Sequence, residues 1–178
     1  MDVAGVRSGD RLLVHAAAGG VGHFAVQIAK ARGAYVIGTA SAAKHGLLRD
    51  LGADELVDYR DTDFAEVVGD VDTVLDTMGG DYGVRSLRTL RRGGTIVSLA
   101  LSKLDGDLDA RAAELGIRSE ALLVEPDHAA MRALAALVEA GRLRAEIAAV
   151  LTLADAAKAH ELGETGRTSG KIVLTVPH

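Results

Sequence analysis

Apolar residues recur along this chain in two rhythms. One is the short continuous run of a strand buried on both faces; the other is the i, i+3, i+4, i+7 stripe of a helix with one buried face. Residues 12–14, Leu-Leu-Val, give the first strand. Val21, Phe24, Ala25, Ile28 and Ala29 stripe the helix after it, and Gly33 stands where a helix C-cap glycine belongs. Residues 2–10 read as the end of a helix and a polar turn. Further strands are predicted at 34–39, 55–59, 71–76, 95–100, 117–124, 147–151 and 171–176. Helices are predicted at 42–51, weakly at 63–68, from an Asp81 N-cap to 90, from Pro126-Asp127 to 140, and from the capping-box spacing of Thr152 and Asp155 to about 163. Between 101 and 116 the pattern blurs. Strand–helix alternation of this kind predicts an α/β, Rossmann-type doubly wound fold: a mainly parallel six-stranded sheet in the order 3-2-1-4-5-6.

The first turn carries the candidate chemistry. A strand running straight into a helix aims the helix's free N–H groups outward, and with the helix dipole they favour an anion. Gly19 and Gly20 leave no side chain between backbone and phosphate, and Gly22 lets the helix approach its strand. Against the dinucleotide fingerprint G-x-G-x-x-G the stretch is Ala17-Ala18-Gly19-Gly20-Val21-Gly22, with Ala17 in place of the first glycine. Such a turn alone also suits a tight connection with no ligand. The strand before it, the striped helix after it and the units downstream favour a nucleotide.

The end of the second strand bears on which nucleotide. NAD-binding domains carry an acid there for the ribose hydroxyls. Gly38-Thr39-Ala40-Ser41-Ala42-Ala43-Lys44 contains none. Ser41 can donate to a 2′-phosphate, Lys44 can bring a positive charge, and Tyr59 can add a hydroxyl. Singly, Ser41 suits a helix cap and Lys44 a solvated surface; together with the missing acid they point to NADP(H).

Composition narrows the field. Hydrophobic residues are 48% and charged residues 25% of the 178, which is a globular balance. The net charge of −5, 3% aromatics and no Trp argue against a nucleic-acid surface. With no Cys, disulfides, thiol nucleophiles and thiolate zinc sites are out, and no His spacing suggests a metal. Asp105-Gly106-Asp107-Leu108-Asp109 lacks the spacing of a calcium loop. No cationic start precedes an apolar core and no run approaches a membrane span, so a cytoplasmic protein is expected.

These residues resemble the medium-chain dehydrogenase/reductase superfamily, and within it the zinc-independent, NADPH-dependent quinone oxidoreductases. The matching segments are Ala16 through Gly22, Gly38-Thr39-Ala40-Ser41 with Lys44, Leu51-Gly52-Ala53-Asp54, Asp58-Tyr59-Arg60, Asp76-Thr77-Met78-Gly79-Gly80, Gly93 through Ser98, and Gly170 through Leu174. The resemblance implies one NADP-binding domain over 1–178, with about 153–176 packing toward a GroES-like catalytic domain upstream. It implies Ala18, Gly19, Gly20 and Val21 at the pyrophosphate above Gly22. It places Ser41, Lys44 and Tyr59 at the 2′-phosphate, and Gly79, Ser98, Leu99, Ala100 and Leu101 along the nicotinamide. Asp76 reads as an ordinary buried or capping acid, and His23 as a helix surface residue near the turn that it and His15 flank. No catalytic base stands out.

The implied reaction is hydride transfer to a quinone or activated alkene, performed poorly by this stretch alone. A homodimer is expected through the sixth strand, with Leu122, Leu123 and Val124 at its edge. The alternatives are an enoyl reductase domain of polyketide assembly, a non-catalytic nucleotide-binding module, and an S-adenosylmethionine methyltransferase, against which the missing acid counts.

Overall fold

In the computed structural model, which describes residues 1–100 and 106–176, β1 (Arg11–Val14) lies inside a six-stranded, wholly parallel sheet. Its neighbours are β2 (Tyr35–Ala40) and β4 (Val71–Asp76), with β3 (Glu55–Asp58) beyond β2 and β5 (Leu90–Ser98) and β6 (Arg118–Ala121) beyond β4. The order β3-β2-β1-β4-β5-β6 is the one the alternation predicts. α1 (Gly22–Ala31), α2 (His45–Asp50), α3 (Phe64–Val67), α4 (Asp81–Ser86) and α5 (Leu108–Glu114) connect these strands. α6 (His128–Glu139) precedes, and α7 (Ala156–Glu164) connects, the strands of a separate parallel pair, β7 (Ile147–Thr152) and β8 (Lys171–Thr175). No helix among the described residues is long and apolar enough to cross a membrane.

The unbroken apolar run of β1 follows from its two covered faces. Leu12 and Val14 join Val26, Ala29 and Val36 in one core. Leu13, pointing the other way, joins Phe64, Val74 and Ile96 in a second. Gly33 ends α1 with φ +83°, while the N–H groups of Gly33 and Ala34 bond to Lys30 O and Ala29 O. Asp127 caps α6 by accepting from the Ala129 and Ala130 N–H groups.

Several elements differ from expectation, each for a local reason. Residues 2–10 form turns, not a helix end. β5 starts at Leu90, because Gly93 and Gly94 form a bulge within the strand: the register with β4 shifts between Leu90 opposite Val71 and Thr95 opposite Thr73. Asp81 is the first residue of α4 and not its cap; Gly80 precedes it at φ +64°. α5 fills part of the blurred stretch and buries only Leu108 and Ala112, one i, i+4 pair. β6 stops at Ala121, since Leu122 N–H takes Ser98 O and β5 ends there. Leu123 and Val124 therefore lie past the strand, 72% and 76% exposed.

The helix stripe is also rotated. Val26 and His23 are fully buried, whereas Val21 is 48% exposed and borders an apolar hollow with Phe24 and Ile28. α1 is apolar on two faces, and the sheet covers the one carrying Ala25, Val26 and Ala29.

Gly22 is a contact glycine. A Cβ there would collide with Ala16 O and stand 2.7 Å from Ala17 Cα and O. Gly22→Ala should therefore push α1 off its turn and destabilise the fold by about 1–3 kcal/mol, as overpacking does. An unchanged urea midpoint would contradict this close packing.

Candidate functional site

The turn from β1 to α1 sits at the C-terminal end of the sheet, where α/β folds of this winding bind ligands. Its left-handed residue is Ala16, φ +46°, rather than a glycine. Gly19, Gly20 and Gly22 have ordinary φ, so what they supply is room. Ala17 fits in place of a glycine because Gly38 lies opposite it in β2; a Cβ on Gly38 would stand 2.9 Å from the Ala17 methyl. The N–H groups of Ala18, Gly20 and Val21 find no acceptor among the described residues, and the first turn of α1 carries no acid. Unused donors at a helix start with no competing carboxylate suit an anion.

A cleft opens beside this turn. It is lined by Ala16, Ala18, Gly19, Thr39, Ala40, Ser41, Lys44, Tyr59, Met78, Tyr82, Gly166 and Thr168. Of the residues singled out from sequence, it brings together Ala18, Gly19, Ser41, Lys44 and Tyr59. Ser41 is buried, and its hydroxyl does not cap the 3₁₀ turn Ala42–Lys44. Lys44 Nζ donates to Thr168 O at 3.0 Å. Burial first, and then the nearby Arg60 guanidinium, hold its ammonium below the usual lysine range. Tyr59, about half exposed, stands on the rim.

An acid does approach this end of the cleft, from β3. Asp58 accepts the Arg60 N–H at 2.9 Å and the Ala42 N–H at 2.7 Å. Those two bonds hold it below the usual carboxylate range. Both its oxygens thus serve the backbone.

Behind the cleft lies a buried polar relay. Ser86 Oγ donates to Tyr82 O at 2.6 Å, which uses its only proton, so it must accept from His15 Nε2 at 2.8 Å. His15 Nδ1 is then the acceptor for Thr39 Oγ1 at 3.2 Å, and Thr39 Oγ1 in turn accepts the Ala16 N–H. Burial, assisted by the Arg85 charge, lowers the His15 pKa to about 3. A neutral, fully buried imidazole is a brace rather than a proton shuttle at neutral pH. It ties Thr39 at the end of β2 to α4.

The remaining candidates fall elsewhere. Gly20 faces the Lys171 side chain, Gly22 packs on the turn, and Val21 and Leu99 border the apolar hollow between α1 and the face of β1, β4 and β5. Gly79, at φ +67°, donates its N–H to Asp76 Oδ1, as does Met78. Asp76 is a buried turn-forming acid, and its Oδ2, like the buried Ser98 Oγ, has no partner among the described residues. Ala100 follows β5. Leu101 lies outside the described residues. His23 is not a surface residue: its ring is fully buried, with Nδ1 2.8 Å from Gly19 O. Met78, Tyr82, Gly166 and Thr168 were missed. Met78 stands inside a quoted motif, but nothing local marks Gly166 or Thr168, which reach the cleft from the far end of the chain.

Comparison with known proteins agrees with this arrangement. The family model described as zinc-binding dehydrogenase matches residues 51–174. The chain is 40% identical over 184 residues to the polyketide synthase GfsB of Streptomyces halstedii, covering 99% of this chain and 3% of that protein. It is 34% identical to the 2-haloacrylate reductase of a Burkholderia species, covering 95% of this chain and 56% of that one. The structure of the quinone oxidoreductase from Coxiella burnetii superposes with a TM-score of 0.93 at 40% identity, again over 99% and 56%. The chain thus spans little more than half of the single-enzyme relatives. The chain has no Cys, and the described residues hold no group of three His, Asp or Glu that could bind an ion. With its sheet order, its glycine turn and a model match over most of its length, the chain belongs to the zinc-binding dehydrogenase family, within the medium-chain reductases.

Proposed function

We propose that the chain is the NADP-binding domain of an oxidoreductase that passes hydride to a quinone or an activated alkene. The observation that carries this reading is the cleft itself, which brings Ser41, Lys44 and Tyr59 together with Ala18 and Gly19 of a turn whose Ala18, Gly20 and Val21 N–H groups lack acceptors among the described residues. In this reading Ala18, Gly19, Gly20 and Val21 take the pyrophosphate, and Gly22 keeps α1 close enough for its N-terminus to face it. Ser41, Lys44 and Tyr59 take the 2′-phosphate. The turn after β4 at Gly79, and the end of β5 at Ser98 with Leu99 and Ala100 beyond it, flank the nicotinamide. When bound, the nicotinamide supplies the hydride; the chain binds, orients and shields it. Asp58 keeps its negative charge nearby, with its two oxygens held by the Ala42 and Arg60 N–H groups and outside the cleft lining.

The substrate wall belongs to a GroES-like domain elsewhere in the protein, and 1–178 act as one cofactor domain. The exposed apolar pair Leu123 and Val124 supports association of two copies next to β6. An enoyl reductase domain of polyketide assembly is the second reading, favoured by the identity to a polyketide synthase over nearly the whole chain.

The test is titration with both cofactors. NADPH should bind more tightly than NADH. Lys44→Ala should weaken NADPH by about ten- to a hundredfold, the worth of one charge-assisted contact, and leave NADH nearly unchanged. Equal affinity of the unmutated protein for NADPH and NADH would overturn the NADP assignment.

A further inference from the structure

β8 opens at Lys171, and the residue ahead of it is docked on the glycine turn. Gly170 N–H donates to Ala18 O at 2.9 Å. Gly170 has φ +72°, and a Cβ there would collide with Glu146 O. The Lys171 N–H donates to that same oxygen at 2.8 Å. The backbone at this point is thus clamped between the turn and the segment leading into β7, which fixes where the Lys171 side chain can go.

It goes over Gly20. Lys171 Nζ lies 3.2 Å, and its Cδ 3.5 Å, from the point at which a Cβ on Gly20 would stand. The space that this glycine leaves open is occupied by an ammonium group. Lys171 forms no ion pair among the described residues, and the carboxylate of Glu146, whose carbonyl takes the Lys171 N–H, is engaged by Arg144 at 2.6 Å. The neighbouring N–H groups of Gly20 and Val21 also lack acceptors among the described residues. Donors and charge of one sign converge on one spot with no anion built in to meet them.

We propose that Lys171 is a phosphate-binding residue, supplying the cationic side of the pyrophosphate site from the opposite end of the chain. This rests on the dinucleotide reading of the cleft. It divides the work between two lysines. Lys44, at the 2′-phosphate end, selects NADPH over NADH. Lys171, at the group both cofactors share, provides affinity without selection.

Calorimetric titration of the unmutated protein, Lys171→Met and Lys171→Arg with NADPH, NADH and adenosine 2′-monophosphate tests this division. Lys171→Met keeps the apolar stem on an exposed position, so its thermal midpoint should stay close to that of the unmutated protein. It should weaken NADPH and NADH by the same factor, about ten- to a hundredfold. Adenosine 2′-monophosphate, which lacks a pyrophosphate, should bind as before, and Lys171→Arg should recover most of the loss. Undiminished binding of both dinucleotides to Lys171→Met overturns the proposal and leaves the dinucleotide reading intact. Loss of NADPH binding alone overturns it too, by placing Lys171 at the 2′-phosphate. Failure of the unmutated protein to bind either dinucleotide would overturn the reading on which the proposal rests.

Discussion

Lowering the pH from 6.5 to 4.5 should remove on the order of 2 kcal/mol of folding stability through His15 alone. The His15 pKa is about 3 in the folded chain and 6.5 when free. Well above pH 6.5 the ring is neutral in both states and its contribution is fully present. As the pH falls from there toward 3, the unfolded chain takes up a proton that the folded chain refuses. Each pH unit in that window costs about 1.4 kcal/mol. Burial is the main cause, and the Arg85 charge adds to it. Carboxylates such as Asp63, held low by its bond to Arg85, release their stability only at lower pH. Urea unfolding at pH 7, 5.5 and 4.5 checks this. His15→Gln should be less stable at pH 7, because Ser86 and Thr39 lose their partner, but should lose little more on acidification. An equally steep loss in that variant would locate the titration elsewhere.

Truncating Phe64 should cost about 3–5 kcal/mol, the usual range for a buried aromatic. Phe64 is fully buried in the core that holds Leu13, Val74 and Ile96. Its ring stands 4.5 Å from His15 and stacks on Tyr82 at 5.6 Å, with the Arg85 guanidinium 4.8 Å away over its face. Phe64→Ala would thus open a cavity directly behind the cleft wall formed by Tyr82. Phe64→Leu, which keeps most of the volume, should cost less than half as much. A loss below about 1 kcal/mol in a denaturant titration of Phe64→Ala would mean that the core collapses onto the gap.

The sequence reveals this fold where the physics is local. β4 is bounded as its apolar run suggests, and the sheet order follows from the alternation of elements. Reading fails where one residue type serves two geometries. Gly93-Gly94 looks like a turn and is a bulge, because either can use an open φ and a missing side chain. α1 has apolar residues on two faces, and periodicity could not tell which of them the sheet covers. His23 reads as a surface residue near a helix start, yet packs against Phe24 and bonds back to Gly19. The cleft was half legible. Ser41, Lys44 and Tyr59 lie within two short motifs, whereas Thr168 and Lys171 arrive through the separate β7–β8 pair, a contact no local pattern encodes.

The Ala17–Gly38 contact has a consequence for how such chains are recognised. The room that a fingerprint glycine usually provides has here been relocated from the turn to the adjacent strand, where Gly38 pairs with Val14 of β1. The two positions behave as interlocking pieces with one shared allowance of volume. A methyl group is permitted on either one only while the other has none. A pattern search that inspects the turn alone scores this chain as defective; one that reads positions 17 and 38 jointly finds the requirement met.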